Sequence, residues 1–136
     1  MRGVLPQWIL PVHTPYEIGI NTLTEAQSLV REAGKNGCQT LVISAAPLHQ
    51  LRAFITTVSV LLREYPLLRV YSQVGRPLAW NETARHSQGA LTGKRSELIQ
   101  GEFERIKRYQ RKGDLVSPEE VLAYLERRDN IDKQLG

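Results

Sequence analysis

The sequence has a single cysteine, Cys38, and no long uninterrupted apolar stretch. One cysteine cannot form a disulfide within the chain, and it offers no zinc-binding spacing. Because free cysteines are usually buried structural thiols, we expect Cys38 to be buried. No apolar run approaches the roughly 20 residues that span a bilayer, and Pro6 and Pro11 interrupt the apolar patch at the N-terminus, which makes it a poor signal peptide. We therefore expect no transmembrane segment and a cytoplasmic location.

The chain also lacks the short motifs of several large enzyme classes. It has no nucleophile elbow, no P-loop and no dinucleotide-binding fingerprint. The histidines His13, His49 and His86 do not have a spacing typical of a metal site, so we predict no metal. The sequence therefore names no reaction, and whether the chain is an enzyme stays open.

Size and charge are those of an ordinary globular domain. The 136 residues suit one domain with a modest core, and the net charge of +4 is mildly basic. The densest basic segment, Arg105 to Lys112, follows Glu102 and Glu104 in an amphipathic helical pattern. A solvated helix face explains this segment better than a nucleic-acid footprint, which would need a concentrated patch interleaved with aromatic residues.

Hydrophobic periodicity divides the first half of the chain into alternating elements. Two short extended candidates, Gln7 to Val12 and Tyr16 to Ile20, come first. A helix begins near Thr22 and is ended by two glycines. The apolar, β-branched run from Thr40 to Ser44 is typical of a buried parallel strand.

A second helix and a second strand follow in the same order. Pro47 suits the first turn of the helix, and Tyr65-Pro66 ends it. The predicted core stripe of this helix comprises Leu51, Ile55, Val58 and Leu62. The second strand is predicted at Leu68 to Val74. Helix–strand–helix–strand with short connections predicts an α/β layered fold with a parallel sheet over residues 1–74.

The rest of the chain has a different composition. Residues 75–93 form a long polar segment, which we predict to be a functional or mobile loop. Two helices are predicted after it, Lys94 to Lys112 and Pro118 to Arg128, and Ser117 to Glu120 gives the second a capping box. We treat residues 94–136 as a helical extension of the same domain, with a tail that frays from Arg127.

His49 and Arg52 lie where the first predicted strand of the sheet gives way to a helix. Ligands of open α/β sheets bind beyond the carboxyl ends of strands, and Ser44 to His49 is such an end. A cation at a helix N-terminus opposes the helix dipole unless an anion is bound there. Arg52 could bind that anion bidentately, and His49 could donate a hydrogen bond or move a proton.

The orientation of these two side chains can also be predicted. Because Leu51 and Ile55 define a different helix face, we expect His49 and Arg52 to point away from the core. The alternative is structural, with Arg52 paired to a nearby carboxylate and His49 capping a turn. The residues alone favour neither interpretation.

Asn21 and Thr22 precede the first predicted helix. Thr22 and Glu25 have the spacing of a capping box, which by itself explains both residue types. The box does not explain Asn21. A functional interpretation places Asn21 and Thr22 at the mouth of the same cleft, beside His49, although the structural interpretation carries more weight.

The pattern Asn21-Thr22-x-Thr24-Glu25-Ala26, then a buried strand, then His49-x-x-Arg52-Ala53, resembles the SanA/ElyC/YdcF-like family of bacterial proteins. The match covers residues 7 to 74, about half of the chain. The resemblance implies a small Rossmann-like layered sandwich with a short, mainly parallel sheet, here with two additional C-terminal helices. It also implies His49 as the catalytic candidate. The residues that would line the family's pocket are Asn21, Thr22, His49 and Arg52. We also predict Glu25 and Ser44, at the start of the first helix and the end of the first strand, as ligand-binding residues.

The resemblance further implies an anionic or nucleoside-type small molecule, such as S-adenosylmethionine or a lipid-linked phosphate, and a link to the bacterial envelope. Two departures matter. Ala45 and Ala46 stand where family members usually carry hydroxyl residues, and the strand and glycine-containing loops that supply the first half of the family pocket are missing. Since a short sheet has an exposed edge, we predict a homodimer or a partner that completes it. The competing hypothesis is a non-enzymatic protein-interaction module with a vestigial pocket, docked through its C-terminal helices.

Overall fold

The computed structural model describes residues 21–85 and 91–136, together with residues 7, 9 and 11. Apart from those three positions, the predicted extended segments at residues 7–12 and 16–20 lie outside the described residues, as do His13 and His86. The described part of the chain forms four α-helices, a parallel pair of strands and an antiparallel pair, so the fold is mixed α/β. In chain order the elements are α1 (Thr22–Lys35), β1 (Thr40–Ile43), α2 (Gln50–Glu64), β2 (Arg69–Ser72), β3 (Thr83–Arg85), β4 (Thr92–Lys94), α3 (Arg95–Lys112) and α4 (Pro118–Leu135).

The first helix begins at Thr22, as predicted, but the residue that caps it is Asn21 and not Thr22. The side-chain oxygen of Asn21 accepts hydrogen bonds from the backbone N–H groups of Leu23 and Thr24, at 2.9 and 3.1 Å. The Thr24 hydroxyl accepts in turn from the Asn21 N–H at 3.0 Å. The capping box is therefore Asn21 with Thr24, and the predicted box of Thr22 with Glu25 is wrong. Asn21, which the predicted box left unexplained, is the helix cap.

The first two strands form the predicted parallel pair, with α2 as the connection between them. Thr40 lies opposite Arg69, and Ile43 opposite Ser72. Ile43 is buried but Val42 is exposed, so β1 is not covered on both faces as predicted. The physical reason is that α1 and α2 pack into one cluster with Ile43 and Val70, on the same side of the pair.

Helix α4 covers the outer edge of β2. The Tyr124 hydroxyl accepts from the Val70 N–H at 2.7 Å and donates to the Leu68 carbonyl at 3.2 Å. Arg128 Nη1 donates to the Val70 carbonyl at 2.9 Å. Side chains of α4 thus take the place of a third strand on this edge. Among the described residues no strand pairs with the outer edge of β1.

Helix α2 lies at the centre of the fold, and ten of its residues are buried. It spans Gln50–Glu64 with Tyr65 as its C-cap, so the predicted end is confirmed and the start is later than predicted. Pro47 is not in its first turn as predicted, because residues 46–49 form a separate turn that the His49 N–H closes onto the Ala46 carbonyl at 2.8 Å. Of the predicted stripe, Leu51 is exposed.

One apolar cluster joins the parallel strands to all four helices. Its members come from α1, β1, α2, β2, α3, the α3–α4 connection and α4. They include Ala26, Val30, Ile43, Phe54, Val58, Leu61, Val70, Ile106, Leu115, Val116, Val121 and Tyr124. The C-terminal helices therefore share a core with the α/β half, and Ser59 of α2 reinforces this by accepting from the Val116 N–H at 2.9 Å.

The segment predicted as a polar loop contains β3 and β4, which pair antiparallel. Each strand has three residues with little apolar character, so periodicity gives no signal for them. Arg95, the first residue of α3, donates to the Ala79 carbonyl at 2.7 Å and to Glu82 Oε2 at 3.0 Å. This part of the segment is therefore anchored on the start of α3.

The C-terminal helices begin where predicted. α3 ends at Gly113, whose φ of 81° is the left-handed conformation that favours glycine. α4 begins with the predicted capping box of Ser117 and Glu120. It continues to Leu135, so the predicted fraying from Arg127 is wrong, because Arg128 and residues beyond it bind β2. Within the described residues no helix is long and apolar enough to cross a membrane.

Cys38 is exposed, so the prediction of a buried thiol is wrong. It lies between the end of α1 and the start of β1, directly after Gly37, whose φ is 64°. The apolar cluster begins on either side of this turn, at Ala33 and Ile43, and does not reach it.

Candidate functional site

Gln50 holds the carboxyl ends of the two parallel strands together. Its buried side-chain amide donates to the Ile43 carbonyl at 2.9 Å and to the Ser72 hydroxyl at 2.8 Å. Its carbonyl oxygen accepts from the Ala45 N–H at 2.5 Å. Gln50 therefore fixes both strand ends and the turn from which His49 emerges. Gln50 was not predicted as a site residue, although a polar residue directly after a predicted strand-to-helix turn is a signal for such a role.

Beside this turn, three basic side chains converge on one buried carboxylate, that of Glu102 on α3. Glu102 Oε2 accepts from Arg52 Nε at 2.6 Å and lies 3.1 Å from His49 Nδ1. Glu102 Oε1 accepts from Arg105 Nη1 at 3.0 Å. Arg52 Nη1 also donates to the Thr22 hydroxyl at 2.9 Å, which ties in the start of α1. We call these five residues the Glu102 cluster: Thr22, His49, Arg52, Glu102 and Arg105.

The expected orientation of Arg52 is wrong. Its side chain is only 3% exposed, and Glu102 is 2% exposed, so this ion pair lies inside the protein. The prediction treated α2 as a helix with one solvent face, but α3 covers the face that carries Arg52, and Leu51 is exposed instead. The structural alternative, Arg52 paired with a carboxylate, is the one found. His49 occupies the N-cap position of α2 but makes no capping hydrogen bond.

His49 and Arg105 differ from Arg52 because they reach solvent. Their side chains are 18% and 19% exposed. Both are held by the same carboxylate, so their orientation is set by a buried group while part of each side chain stays accessible. Such pre-organised donors lose little conformational entropy when a ligand binds.

The contact with Glu102 assigns the hydrogen of the His49 ring. A carboxylate only accepts, so Nδ1 carries the hydrogen that faces Glu102 Oε2. In the neutral ring, Nε2 then has the free lone pair. Nε2 has no hydrogen-bond partner among the described residues. His49 can therefore accept a proton at Nε2, or donate to an anion once it is protonated.

The structure brings together three of the six predicted site residues, Thr22, His49 and Arg52. Asn21 adjoins them in sequence as the cap of α1, and Glu25 is exposed on the first turn of that helix. Ser44 is exposed at the carboxyl end of β1. Its hydroxyl would lie 3.6 Å from a Cβ added at Gly75, so the segment after β2 passes close to it.

Glu102 and Arg105 were not predicted. A signal for Glu102 exists in the sequence, since it lies three residues after Ile99 and four before Ile106, on the apolar side of α3. A charged residue on a buried helix face needs a partner, but the pattern does not say which. Arg105 then follows at the spacing that allows it to reach the Glu102 carboxylate on the same helix.

Metal binding has no support in the described part of the chain, where no group of three or more His, Cys, Asp or Glu side chains could hold an ion. The described residues also form two clefts near the opposite end of α2. One, of about 530 Å³, includes Leu62, Arg63 and Val116 in its lining, and the other, of about 490 Å³, includes Val30 and Tyr65. Neither cleft is lined by residues of the Glu102 cluster.

Comparison of the chain with protein-family models, curated proteins and solved structures finds no match. The function therefore has to be inferred from the side chains of the site.

Proposed function

We propose that the chain is a ligand-binding α/β domain that takes the anionic group of a small molecule at the β1–α2 turn, against His49 and Arg105. In this proposal the parallel pair belongs to a Rossmann-like sandwich of the SanA/ElyC/YdcF-like kind. A nucleoside or phosphate ligand, S-adenosylmethionine included, follows from that resemblance.

The observation that supports the proposal best is the shared anchoring of His49 and Arg105. Each donates to Glu102, and each keeps part of its side chain accessible. An anion placed between them would meet two donors that are already oriented. Charge-assisted hydrogen bonds of this kind are shorter and about twice as strong as neutral ones.

The location also supports the proposal. Ligands of open α/β sheets bind outside the carboxyl ends of the strands, and Ser44 and the β1–α2 turn lie at that end. Gln50 holds the strand ends and the turn in one position, so the ligand would bind to a rigid edge. Thr22 brings the start of α1 to the same place through Arg52.

The chemistry of His49 allows more than binding. With Nδ1 held by Glu102, Nε2 is free to take a proton from a bound molecule or return one. Arg105 would stabilise negative charge on the ligand at the same time. A proton transfer to or from an anionic ligand is therefore the reaction class that these side chains suit.

The experiment is a thermal-shift screen with inorganic phosphate, nucleotides, sugar phosphates and S-adenosylmethionine. A ligand present at 100 times its Kd adds about 2.7 kcal/mol to the free energy of unfolding. We expect that stabilisation in the wild type, and its loss in the double variant His49→Gln/Arg105→Gln. The matched control is Lys35→Gln/Arg127→Gln, which removes two exposed basic residues from α1 and α4. Equal stabilisation of all three proteins would place the ligand elsewhere, and no stabilisation by any compound would refute the proposal.

A second candidate, protein interaction through the open side of the sheet, is supported by Val42. This exposed apolar side chain lies beside Tyr71, its register partner, on the side of the sheet away from α1 and α2. If two copies of the chain associate through this face, the sedimentation coefficient rises with concentration and Val42→Lys abolishes the rise. A concentration-independent monomer would exclude the homodimer.

A further inference from the structure

The outward side of α3 carries basic and aromatic side chains that the Glu102 cluster does not use. Lys107, Arg108, Arg111 and Lys112 are exposed. Phe103 on the same helix is 37% exposed, and Trp80, which precedes β3, is 44% exposed. We propose that these six residues, here called the α3 surface, bind single-stranded nucleic acid.

The helix geometry places the four cations of α3 in two adjacent rows. Residues 103, 107 and 111 form one row with a spacing of four, and residues 104, 108 and 112 form the neighbouring row. The two rows extend over about 14 Å at 1.5 Å per residue. Ile106 and Glu102 lie on the buried side of the helix, so the rows face solvent. The four cations therefore lie on the outward half of the helix together with Glu104, and Phe103 lies at the margin of that half, in the row of Lys107 and Arg111.

Trp80 lies near the N-terminal end of α3, because its backbone carbonyl accepts from the Ser96 N–H at 3.0 Å. Ser96 is seven residues before Phe103, which is about two helical turns, so Ser96 and Phe103 lie on the same side of α3. The basic segment from Arg105 to Lys112 does not include these two exposed aromatic residues, Trp80 and Phe103.

The cations of the α3 surface are largely free of acidic partners. No acidic residue occurs between positions 105 and 112. In the described part of the chain Lys107 pairs with Glu104, whereas Arg108, Arg111 and Lys112 have no carboxylate partner. Arg108 and Lys112 instead lie 5.2 and 5.8 Å from the centre of the Tyr109 ring. Cation–π contacts hold these two side chains while leaving their N–H groups available.

Favourable interaction with the helix dipole explains only part of this arrangement. Arg111 and Lys112 lie in the last turn, where cations are favoured. Neither the position of Lys107 and Arg108 nor the exposure of Phe103 follows from the dipole. Single-stranded nucleic acid matches the combination, because phosphates bind cations while bases stack on aromatic rings. A lipid surface matches it less well, since no exposed aliphatic side chain lies between residues 103 and 112 to insert.

The test is fluorescence anisotropy with labelled 12-nucleotide oligouridine and oligothymidine between 50 and 200 mM salt. For single strands the slope of log Kobs against log salt is about −0.7 per phosphate neutralised, so four cations predict about −2.8. The variant Arg108→Gln/Arg111→Gln/Lys112→Gln should reduce the slope to about −0.7. The matched control, Lys35→Gln/Arg127→Gln/Lys133→Gln, loses the same charge from exposed positions on α1 and α4 and should keep the wild-type slope.

The aromatic contribution is tested separately with Phe103. We expect Phe103→Ala to weaken binding at least about fivefold and Phe103→Trp to retain it, because stacking needs a ring. A duplex of the same length should bind more weakly than the single strand. Equal slopes for the two triple variants, binding to phosphatidylserine vesicles without binding to oligonucleotides, or no binding at all would each overturn the proposal. None of these outcomes bears on His49 and Arg105, which no variant alters.

Discussion

Two clusters of charged side chains in the described part of the chain connect its elements, and they are built differently. In the Glu102 cluster the carboxylate and Arg52 are almost fully buried, and three basic side chains from α2, α3 and the β1–α2 turn contact one acid, while Thr22 of α1 contacts Arg52. In the second, which we call the Asp132 cluster, Asp132 of α4 binds Arg69 and the Tyr71 hydroxyl of β2. Arg128 lies over the Tyr71 ring, 4.5 Å from its centre, and Asp132 is only half-buried.

The difference in burial suggests different roles: the Glu102 cluster suits a ligand site, and the Asp132 cluster attaches α4 to β2. Burying an ion pair costs several kcal/mol of desolvation per ion, and an apolar pair of similar volume is often as stable. Stability alone therefore does not explain the Glu102 cluster, because apolar side chains of similar volume could stabilise the fold as well. Apolar side chains could not orient the two accessible donors, His49 and Arg105. The Asp132 cluster avoids most of that cost at the surface, and it fixes α4 along the edge of β2.

The largest effect should come from Glu102→Gln. Removing one charge from a buried ion pair typically costs 3–5 kcal/mol, and here it leaves Arg52 facing a neutral amide. The midpoint of urea unfolding should fall accordingly, whereas Glu104→Gln, which affects an exposed pair with Lys107, should cost less than about 1 kcal/mol.

A double variant sharpens this result. Arg52→Met/Glu102→Leu removes both charges and should recover much of the lost stability. It should also lose any stabilisation by anionic ligands, because His49 and Arg105 no longer have the carboxylate that orients them. A double variant that keeps the ligand response would show that the cluster only supports the fold.

Tyr124→Phe tests how far α4 replaces a strand. The Tyr124 hydroxyl is buried and bonded to both the Val70 N–H and the Leu68 carbonyl, so its removal leaves an unsatisfied N–H at the edge of β2. We expect a loss of about 1–3 kcal/mol and faster hydrogen exchange at Val70. Tyr65→Phe is the control, since its hydroxyl has no hydrogen bond among the described residues. Unchanged exchange at Val70 would show that the edge does not depend on α4.

Asn21→Ala should have a smaller effect, about 1 kcal/mol, because it removes the cap of α1. Thr22, the next residue, accepts from Arg52, so the variant also tests whether the Glu102 cluster depends on a well-formed start of α1. We expect the ligand-induced thermal shift to persist in Asn21→Ala, measured beside Ser117→Ala, which removes the equivalent cap of α4. A shift lost in Asn21→Ala alone would make Asn21 a ligand-binding residue.

The elements that the sequence predicted well are those determined by local patterns. Periodicity and turn residues placed α1, β1, α2 and β2, and capping residues placed the start of α4. The errors arise where local patterns carry no information. β3 and β4 are too short to show a pattern, and the burial of Cys38 was predicted only from the general behaviour of its residue type.

The site was predicted in part for the same reason. His49 and Arg52 were found because they follow a strand on one short segment, whereas Glu102 is 50 residues from Arg52 and joins it only through tertiary packing. The direction of Arg52 was wrong because it depends on where α3 packs. Nothing in the α2 sequence contains that information, although a charge on the apolar side of α3 indicates that Glu102 needs a buried partner.

The smallest effect at neutral pH should come from Asp132→Asn, and it should depend on pH. The Tyr71 hydroxyl that donates to Asp132, and then Arg69, lower the pKa of this carboxyl below its ordinary value of 3.8. The same hydrogen bond raises the pKa of Tyr71 above 10.0, so the phenol stays neutral at physiological pH. A carboxyl with a lowered folded-state pKa stabilises the protein above its unfolded pKa, and the stabilisation is lost as pH falls through the folded value. Urea midpoints measured from pH 7 to pH 3 should therefore fall more steeply below pH 4 for the wild type than for Asp132→Asn.

The neighbouring acid provides the control for that measurement. Asp129 binds Arg128 on the same helix but does not contact β2, so Asp129→Asn should keep the wild-type pH dependence. The protection factors of residues 127–135 against hydrogen exchange should fall at low pH in the wild type, since the C-terminal half of α4 is held by Asp132 and Arg128. If Asp132→Asn and the wild type lose stability in parallel, the attachment of α4 depends on Tyr124 and Arg128, and the Asp132 cluster contributes little to the fold.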